Sequence, residues 1–301
     1  MLSICIPTYN SDITLLYKSL FDQLKELKSS IEIIIIDDAS SDSFKNTNRN
    51  NCTNATYIEL SKNIGRAKIR NLFLEHAKYN NLLFLDCDSK IINKDYLANY
   101  IEAISNSNNH VFFGGSIYPT DKPAKHNLLR WEYGSKKESK TYDQRILIGN
   151  QSFMTNNFLI SKTIFEKIKF DEDLAKYGYE DTLFGFNLTS NGIAINQLDN
   201  PVLNNEYDTN TEYLEKISES IDNLEAILNK IENKKEFINS VKILRTYQSL
   251  KERKVIGIFN FFFKIKKPIL KKMLISGNYI SITLFNIYKL GLLSNKLSKI
   301  S

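Results

Sequence analysis

The sequence predicts an α/β protein whose sheet carries a ligand crevice, followed by a helical C-terminal extension. Three observations predict it. Apolar runs of strand length alternate with helical stretches through the first 115 residues, an order that implies a parallel sheet covered on both faces. Three of those runs, SICIPTYN (3–10), IEIIIIDDAS (31–40) and LLFLDCDS (82–89), end in polar residues. Ligands of open α/β sheets bind outside the carboxyl ends of strands, so three such ends point to one crevice. Near residue 210 the composition shifts and the pattern turns helical.

Taken in order, strands are expected near 2–6, 31–37, 55–60, 82–86 and 110–114, and helices near 12–28, 64–79 and 93–106. Leu15, Leu16, Ser19, Leu20, Gln23, Leu24 and Leu27 give the first helix a mostly apolar stripe. Residues 115–160 read as an irregular loop over the crevice, with Pro119, Pro123 and a solvated KKESK stretch (136–140). NFLISKTIFEKI (157–168) reads as a short strand running into a helix, and GYEDTLFGFNLTSNG (178–192) as a turn, a helix and a stop at Gly192. Leu214, Ile217, Ile221, Leu224, Leu228 and Ile231 repeat at intervals of three and four. That seam is short for a coiled coil, so a helix packed on its own domain is expected. The expected division is 1–210 for the crevice-bearing domain and 211–301 for the helical extension.

Composition bounds the class. The chain has 301 residues, 42% hydrophobic and 25% charged, ordinary for a globular protein with a sizeable core. Cys5, Cys52 and Cys87 lack metal or redox spacing, and an odd, sparse count fits a reducing, cytoplasmic compartment. The chain enters a strand at once, so no signal peptide is expected, and no apolar run reaches membrane-spanning length. The net charge of +6 is uneven: residues 251–301 carry +10 and residues 1–250 carry −4. An acidic sheet portion disfavours nucleic acid as a partner, whereas the basic tail suits an anionic membrane surface.

Asp86 and Asp88 lie at alternate positions beyond an apolar strand, so both can face one side. Paired carboxylates there can hold a divalent metal, and the metal a diphosphate. With the other strand ends in place, the chain resembles the family-2 glycosyltransferases with a GT-A fold, a Rossmann-like, nucleotide-sugar-binding mixed sheet. The matching pieces are SICIPTYN, IIIIDDASSD (33–42), NIGRAKIRN (63–71), FLDCDS (84–89) and YEDTLFG (179–185), within roughly residues 1–210. The layout is most similar to bacterial enzymes that build surface polysaccharides. The resemblance implies inverting transfer of a sugar, from a UDP-sugar, to a hydroxyl of a glycan or lipid-linked acceptor, with Mn²⁺ or Mg²⁺.

The resemblance also implies roles. The turn Pro7, Thr8, Tyr9 would meet the nucleoside, with Tyr9 offering a ring face; its plainer alternative is a buried turn aromatic. Asp37 would accept the ring N–H of a base. Asp38 stands beside it, with an N-cap for the segment after Ala39 as its alternative. Arg66 and Arg70, one turn apart, suit a diphosphate or a base edge, or else form a solvated face. Asp88 would ligate the metal, and Asp86 would contact the sugar or ribose beside it. Asp181, with Glu180 as second choice, would deprotonate the acceptor hydroxyl. Trp131 and Asn157, in the segment that should set specificity, are candidates for the acceptor or donor sugar; a core role is the alternative for Trp131.

Two positions depart from the pattern. Related chains often carry a His after the Asn-Pro-Val turn to complete the metal site; here DNPVLNNEYD (199–208) offers Asn204, with Glu206 or Asp208 as substitutes. Tyr179 stands where a His often precedes the acidic pair. A catalytically degenerate sugar-nucleotide-binding subunit of an assembly complex is therefore the rival reading. A sugar-1-phosphate nucleotidyltransferase would need a Gly-rich, basic loop where this chain has PTYN. The tail mixes lysines with Phe259, Phe261, Phe262 and Phe263, as in a helix lying in a membrane interface at the inner face of the cytoplasmic membrane, or in one docked on its own domain.

Overall fold

The structure is a computed structural model that describes residues 1–106, 111–174, 176–204 and 206–298. The chain runs β1 (Leu2–Thr8), α1 (Thr14–Glu26), β2 (Ile31–Asp37), α2 (Asp42–Asn51), β3 (Thr56–Glu59), α3 (Arg66–His76), β4 (Asn81–Leu85), β5 (Ser89–Ile91) and α4 (Tyr96–Ser105). There follow β6 (Val111–Phe113), β7 (Ser116–Ile117), α5 (Leu128–Tyr133), α6 (Tyr142–Ile148), β8 (Asn157–Ser161), α7 (Lys162–Lys167) and α8 (Glu180–Ser190). The last elements are β9 (Asn196–Gln197), β10 (Val202–Asn204), α9 (Asn210–Lys230), α10 (Lys234–Ser240), α11 (Lys242–Glu252), α12 (Ile256–Ser276) and α13 (Ile282–Leu297).

These elements form two units. The first comprises Met1–Pro119, Ser139–Ala175 and Glu180–Glu206; the second comprises Thr120–Glu138, Lys176–Tyr179 and Tyr207–Ser301. The chain thus divides near residue 207 but also lends two earlier segments to the second unit, where the sequence suggested one cut.

In the first unit a seven-stranded sheet has the order β3-β2-β1-β4-β8-β6-β9. Its β1, β2, β3 and β4 are mutually parallel, while β8 runs antiparallel to β4 and β6. Alternate residues of each strand enter opposite layers, as a period of two requires. Cys5, Ile34, Ile36, Leu82, Phe84 and Phe158 face one core with Phe73 of α3, Phe165 of α7 and Phe184 of α8. Ile4, Ile6, Ile33, Ile35, Leu83 and Leu159 face another with Leu16 and Leu20 of α1 and Tyr96 and Tyr100 of α4. Burial on both faces is why these strands read as unbroken apolar runs. Thr8 pairs with Asp37 in register, so β1 and β2 end level and deliver their polar residues side by side. A second sheet, β5-β10-β7, lies beyond the carboxyl end of β4.

Two expectations need correction. Residues 115–160 are not an irregular loop. They hold β7, α5, α6 and the start of β8, and a capping box of Thr141 with Gln144 opens α6. A helix, α2, also stands between the second and third strands. Its only buried residue is Asn48, which accepts a hydrogen bond from Ile13 N and donates one to the Ser11 carbonyl. A helix anchored by an amide offers no apolar stripe to read.

In the second unit a capping box of Thr209 with Glu212 opens α9. Tyr213, Leu214 and Ile217 of α9 pack with Leu129 of α5, Phe263 and Leu274 of α12, and Phe285 and Tyr288 of α13. The three-and-four repeat is thus the buried face of a helix within its own unit.

Candidate active site

The site is built where β1, β2 and β4 end. After β1, Thr8 is buried and its hydroxyl has no hydrogen-bond partner among the described residues, while Tyr9 is 52% exposed. Asn10 takes a left-handed φ of 49° and stitches the two turns together. Its N–H donates to Ser40 Oγ, and its Oδ1 accepts from Ser41 N. At the end of β2, Asp37 is wholly buried: Oδ1 accepts from Ser40 N at 2.7 Å and Oδ2 from the Tyr57 hydroxyl at 2.8 Å. Its base-reading role would require the Tyr57 bond to yield. Asp38 does not cap α2, whose N-cap is Ser41. It accepts instead from Ile64 N at 2.7 Å and Gly65 N at 3.0 Å, and so shapes the turn that starts α3. Gly65 holds φ 85° there, a conformation that glycine adopts without steric cost. Burial raises the Asp38 carboxyl despite those two N–H donors.

From α3 the two arginines go different ways. The Arg70 side chain is 2% exposed, and its Nη2 donates to Asp86 Oδ1 at 2.8 Å. Phe170 lies 5.6 Å from its guanidinium. Arg66 is 42% exposed; its Nη2 is 3.7 Å from Asp86 Oδ2 and its Nε 3.6 Å from Glu180 Oε1. The i, i+4 spacing does place both near Asp86, but Arg70 is a buried clamp and Arg66 alone presents a surface to the crevice. Asp86, engaged by both, is an anchor for cations of the chain itself.

Asp88 is exposed at the crevice. Protein still surrounds its carboxyl closely enough that desolvation, then Asp86 and Glu206, push it up to about 6 against the pull of Arg66. Asn204 pairs with Ser89 across β5 and β10, one residue from Asp88. Among the described residues no His, Cys, Asp and Glu side chains form a three-member metal cluster. The donor set still suits a hard cation, because charge gathered at Asp88 opposes its own ionisation and a divalent ion would relieve that. Asp208 is bound to Lys216 at 2.6 Å, which leaves Glu206 as the substitute that bears on Asp88.

The acidic pair opens α8. Tyr179, just before it, holds φ 64°, a strained setting for a bulky side chain. Glu180 is buried, with Oε1 toward Arg66 and Oε2 without a hydrogen-bond partner among the described residues. Asp181 Oδ1 accepts from Thr182 N at 2.6 Å and the Thr182 hydroxyl at 3.2 Å. Burial first, then Glu180, push the Asp181 carboxyl up to about 6; the Thr182 bonds and Arg66 pull the other way. A half-buried carboxylate poised there can take a proton near neutral pH.

Asn157 must be corrected. It is wholly buried: Nδ2 donates to the Gly115 and Asn200 carbonyls, and Oδ1 accepts from the Tyr96 and Tyr100 hydroxyls. All four of its bonds are used, so it is a structural hub with nothing left for a sugar. Trp131 is buried on α5 of the second unit, as a packed side chain. Tyr57 and Thr182, which hold Asp37 and Asp181, are not among the site residues legible in the sequence; only Thr182 carries a signal, its place beside the acidic pair.

A mixed sheet with acidic strand ends, an Asp-x-Asp turn and an acidic helix start defines a GT-A glycosyltransferase fold. Glycosyl transferase family 2 matches residues 3–169, and the chain belongs to that family. No curated protein matches the chain. Several solved structures share the fold. The mannosyltransferase PcManGT from Pyrobaculum calidifontis, in complex with GDP-Man and Mn²⁺, has a TM-score of 0.59 at 15% identity, over 99% of this chain and 86% of that one. S. aureus TarS 1–349 has a TM-score of 0.51 at 18% identity, over 100% and 92%. Glucosyl-3-phosphoglycerate synthase from Mycobacterium tuberculosis, with Mn²⁺, UDP and glucosyl-3-phosphoglycerate, has a TM-score of 0.52 at 14% identity, over 76% and 79%.

Proposed function

We propose that the protein transfers a sugar, with inversion, from a nucleotide-sugar to a hydroxyl of a glycan or lipid-linked acceptor. The observation that carries this reading is the link Arg66 makes between the strand-end acid Asp86 and the helix-start acid Glu180, flanked by Asp88 and Asp181. One crevice then holds a cation site, a diphosphate ligand and a base. Tyr9 offers its exposed ring to the base, and the Thr8 hydroxyl, without a partner among the described residues, suits a nucleoside oxygen. Arg66 meets the diphosphate with a planar fork of donors. Asp88, with an oxygen of Asn204 or Glu206, would hold Mn²⁺ or Mg²⁺. The ion would neutralise charge on the departing nucleoside diphosphate. Asp181 takes the proton of the acceptor hydroxyl as its oxygen attacks the anomeric carbon from the face opposite the nucleotide. Thr182 fixes the carboxylate for that role.

The donor we propose is a UDP-sugar, since UDP occupies the M. tuberculosis synthase, although PcManGT holds GDP-Man. Three cysteines that remain thiols fit a cytoplasmic site of synthesis for envelope polysaccharide. Screening UDP-, GDP- and dTDP-sugars for hydrolysis and transfer with Mn²⁺ tests the reading. Turnover of one UDP-sugar is expected, and its loss in Asp88→Ala and in excess EDTA. Full activity of that variant would remove the metal from the reaction. Asn204 supports a second reading, a subunit that binds sugar nucleotide without turning it over. Tight UDP-sugar binding with no hydrolysis or transfer across the screen would favour it.

A further inference from the structure

The helix α12 is apolar on two faces. Phe263 and Leu274 are buried against α9 and α13. Away from them stand Ile258, Phe261, Phe262, Ile265, Ile269 and Met273, each between 36% and 63% exposed. At 100° per residue these six fall within an arc of about 120°, centred well away from the buried pair. A stripe of this kind on a folded surface needs a cover. Lysines rim it: Lys264 and Lys271 fall on one side, Lys266 on the other, and Lys272 near its edge. No Asp or Glu occurs in α12, and among the described residues none of these lysines forms an ion pair.

Beside the helix lies a cavity of about 590 Å³ lined by Lys264, Lys267, Lys296, Asn295, Ser298 and Ser218. Asp222 also borders it, bound to Lys176 and Lys296. At 100° per residue Lys267 falls opposite the exposed stripe, so this cavity belongs to the face of α12 turned toward α9 and α13 and takes no part in the stripe.

We propose that α12 docks the protein on an anionic lipid bilayer, its exposed stripe in the headgroup boundary and its lysines on lipid phosphates. Charge selects this occupant. A second copy would bring two lysine rims together without a carboxylate between them, whereas an anionic surface complements both rims at once. Spanning is excluded for α12 by its five lysines, and no described helix is long and apolar enough to cross. The helix therefore lies along the surface.

Flotation of the full chain with phosphatidylcholine vesicles, with and without phosphatidylglycerol, tests this. The chain should float with the anionic vesicles only, and binding should fall as salt rises. The variant Phe261→Ser/Phe262→Ser/Ile265→Ser should lose vesicle binding by about tenfold or more, and Lys264→Glu/Lys271→Glu should lose the anionic preference. Both alter exposed positions, so their melting temperatures should match the parent's. Failure of the full chain to float with anionic vesicles, or equal flotation of the Ser variant, would overturn the proposal. So would full release by inorganic phosphate at matched ionic strength, which would assign the lysines to a soluble anion. A chain that is dimeric in solution, with a monomeric Ser variant, would assign the stripe to a second copy instead.

Discussion

Asp181 is held in a tension that its environment sets. Burial and Glu180 resist its ionisation, and Thr182 and Arg66 favour it, with burial winning. The Asp181→Asn variant should keep donor binding and lower kcat by about 10²–10⁴-fold, because the amide keeps the shape but accepts no proton. Retention of near-parental turnover, with loss in Glu180→Gln instead, would move the base to Glu180. In the parent, kcat/KM should rise with pH through about 6 as the base ionises. Stability should move the other way. Between the ordinary carboxylate range and about 6, the folded chain binds more protons than the unfolded one, so stability falls as pH rises. The Asn variant lacks that loss and should melt above the parent at neutral pH, with the gap closing in acid. Asn204 invites a gain of function. Its strand pairs it beside Asp88, so Asn204→His should tighten Mn²⁺ binding in the presence of UDP, imidazole being a good ligand for that ion. An unchanged Mn²⁺ titration would mean that position 204 does not reach the ion.

At the scale of elements, α12 and α13 meet closely at Gly291. A Cβ there would overlap the Phe263 ring. Gly291→Ala should therefore destabilise by about 1–3 kcal/mol, despite alanine's better helix propensity, because the helices must part or the ring must leave its rotamer. Urea unfolding measures the loss; a stabilised variant would show that the pair has room. The strands of the first unit were legible for a simple reason. Runs such as Ile33 to Ile36 face two apolar layers and carry no polar interruption. Helix α2 and the short helices of 115–160 were not, because a hydrogen-bonded Asn48 and brief caps leave no periodic apolar signal.

At the scale of the whole molecule, the chain crosses between its two units more than once. Leu129 of α5 packs with Tyr213 and Leu214 of α9, and Asn223 of α9 donates to the carbonyls of Lys176 and Gly178. A fragment of residues 1–210 would keep α5 and the 176–179 segment but lose most of α9 with Leu214 and Asn223. We expect that fragment to aggregate and to bind a hydrophobic dye, measured by light scattering and dye fluorescence beside the full chain. A monodisperse fragment that binds UDP-sugar like the full chain would show that the early segments stand without α9.

The sequence by itself determined the family, the alternation of strands and helices through the first 115 residues, and the acids that end the strands. Apolar runs and strand-end carboxylates are local features, and they survive being read one segment at a time. Which of two similar residues acts was decided only by the tertiary structure. Arg66 and Arg70 share a helix face, yet packing against Phe170 buries one and leaves the other exposed. Asp38 reads as a donor contact or a cap for the segment after Ala39, yet its partners are N–H groups 26 and 27 residues away. Asn157 looks like a pocket residue until two tyrosines and two carbonyls use all its bonds. Burial and hydrogen-bond partnership depend on residues distant in the chain, and no local pattern carries them.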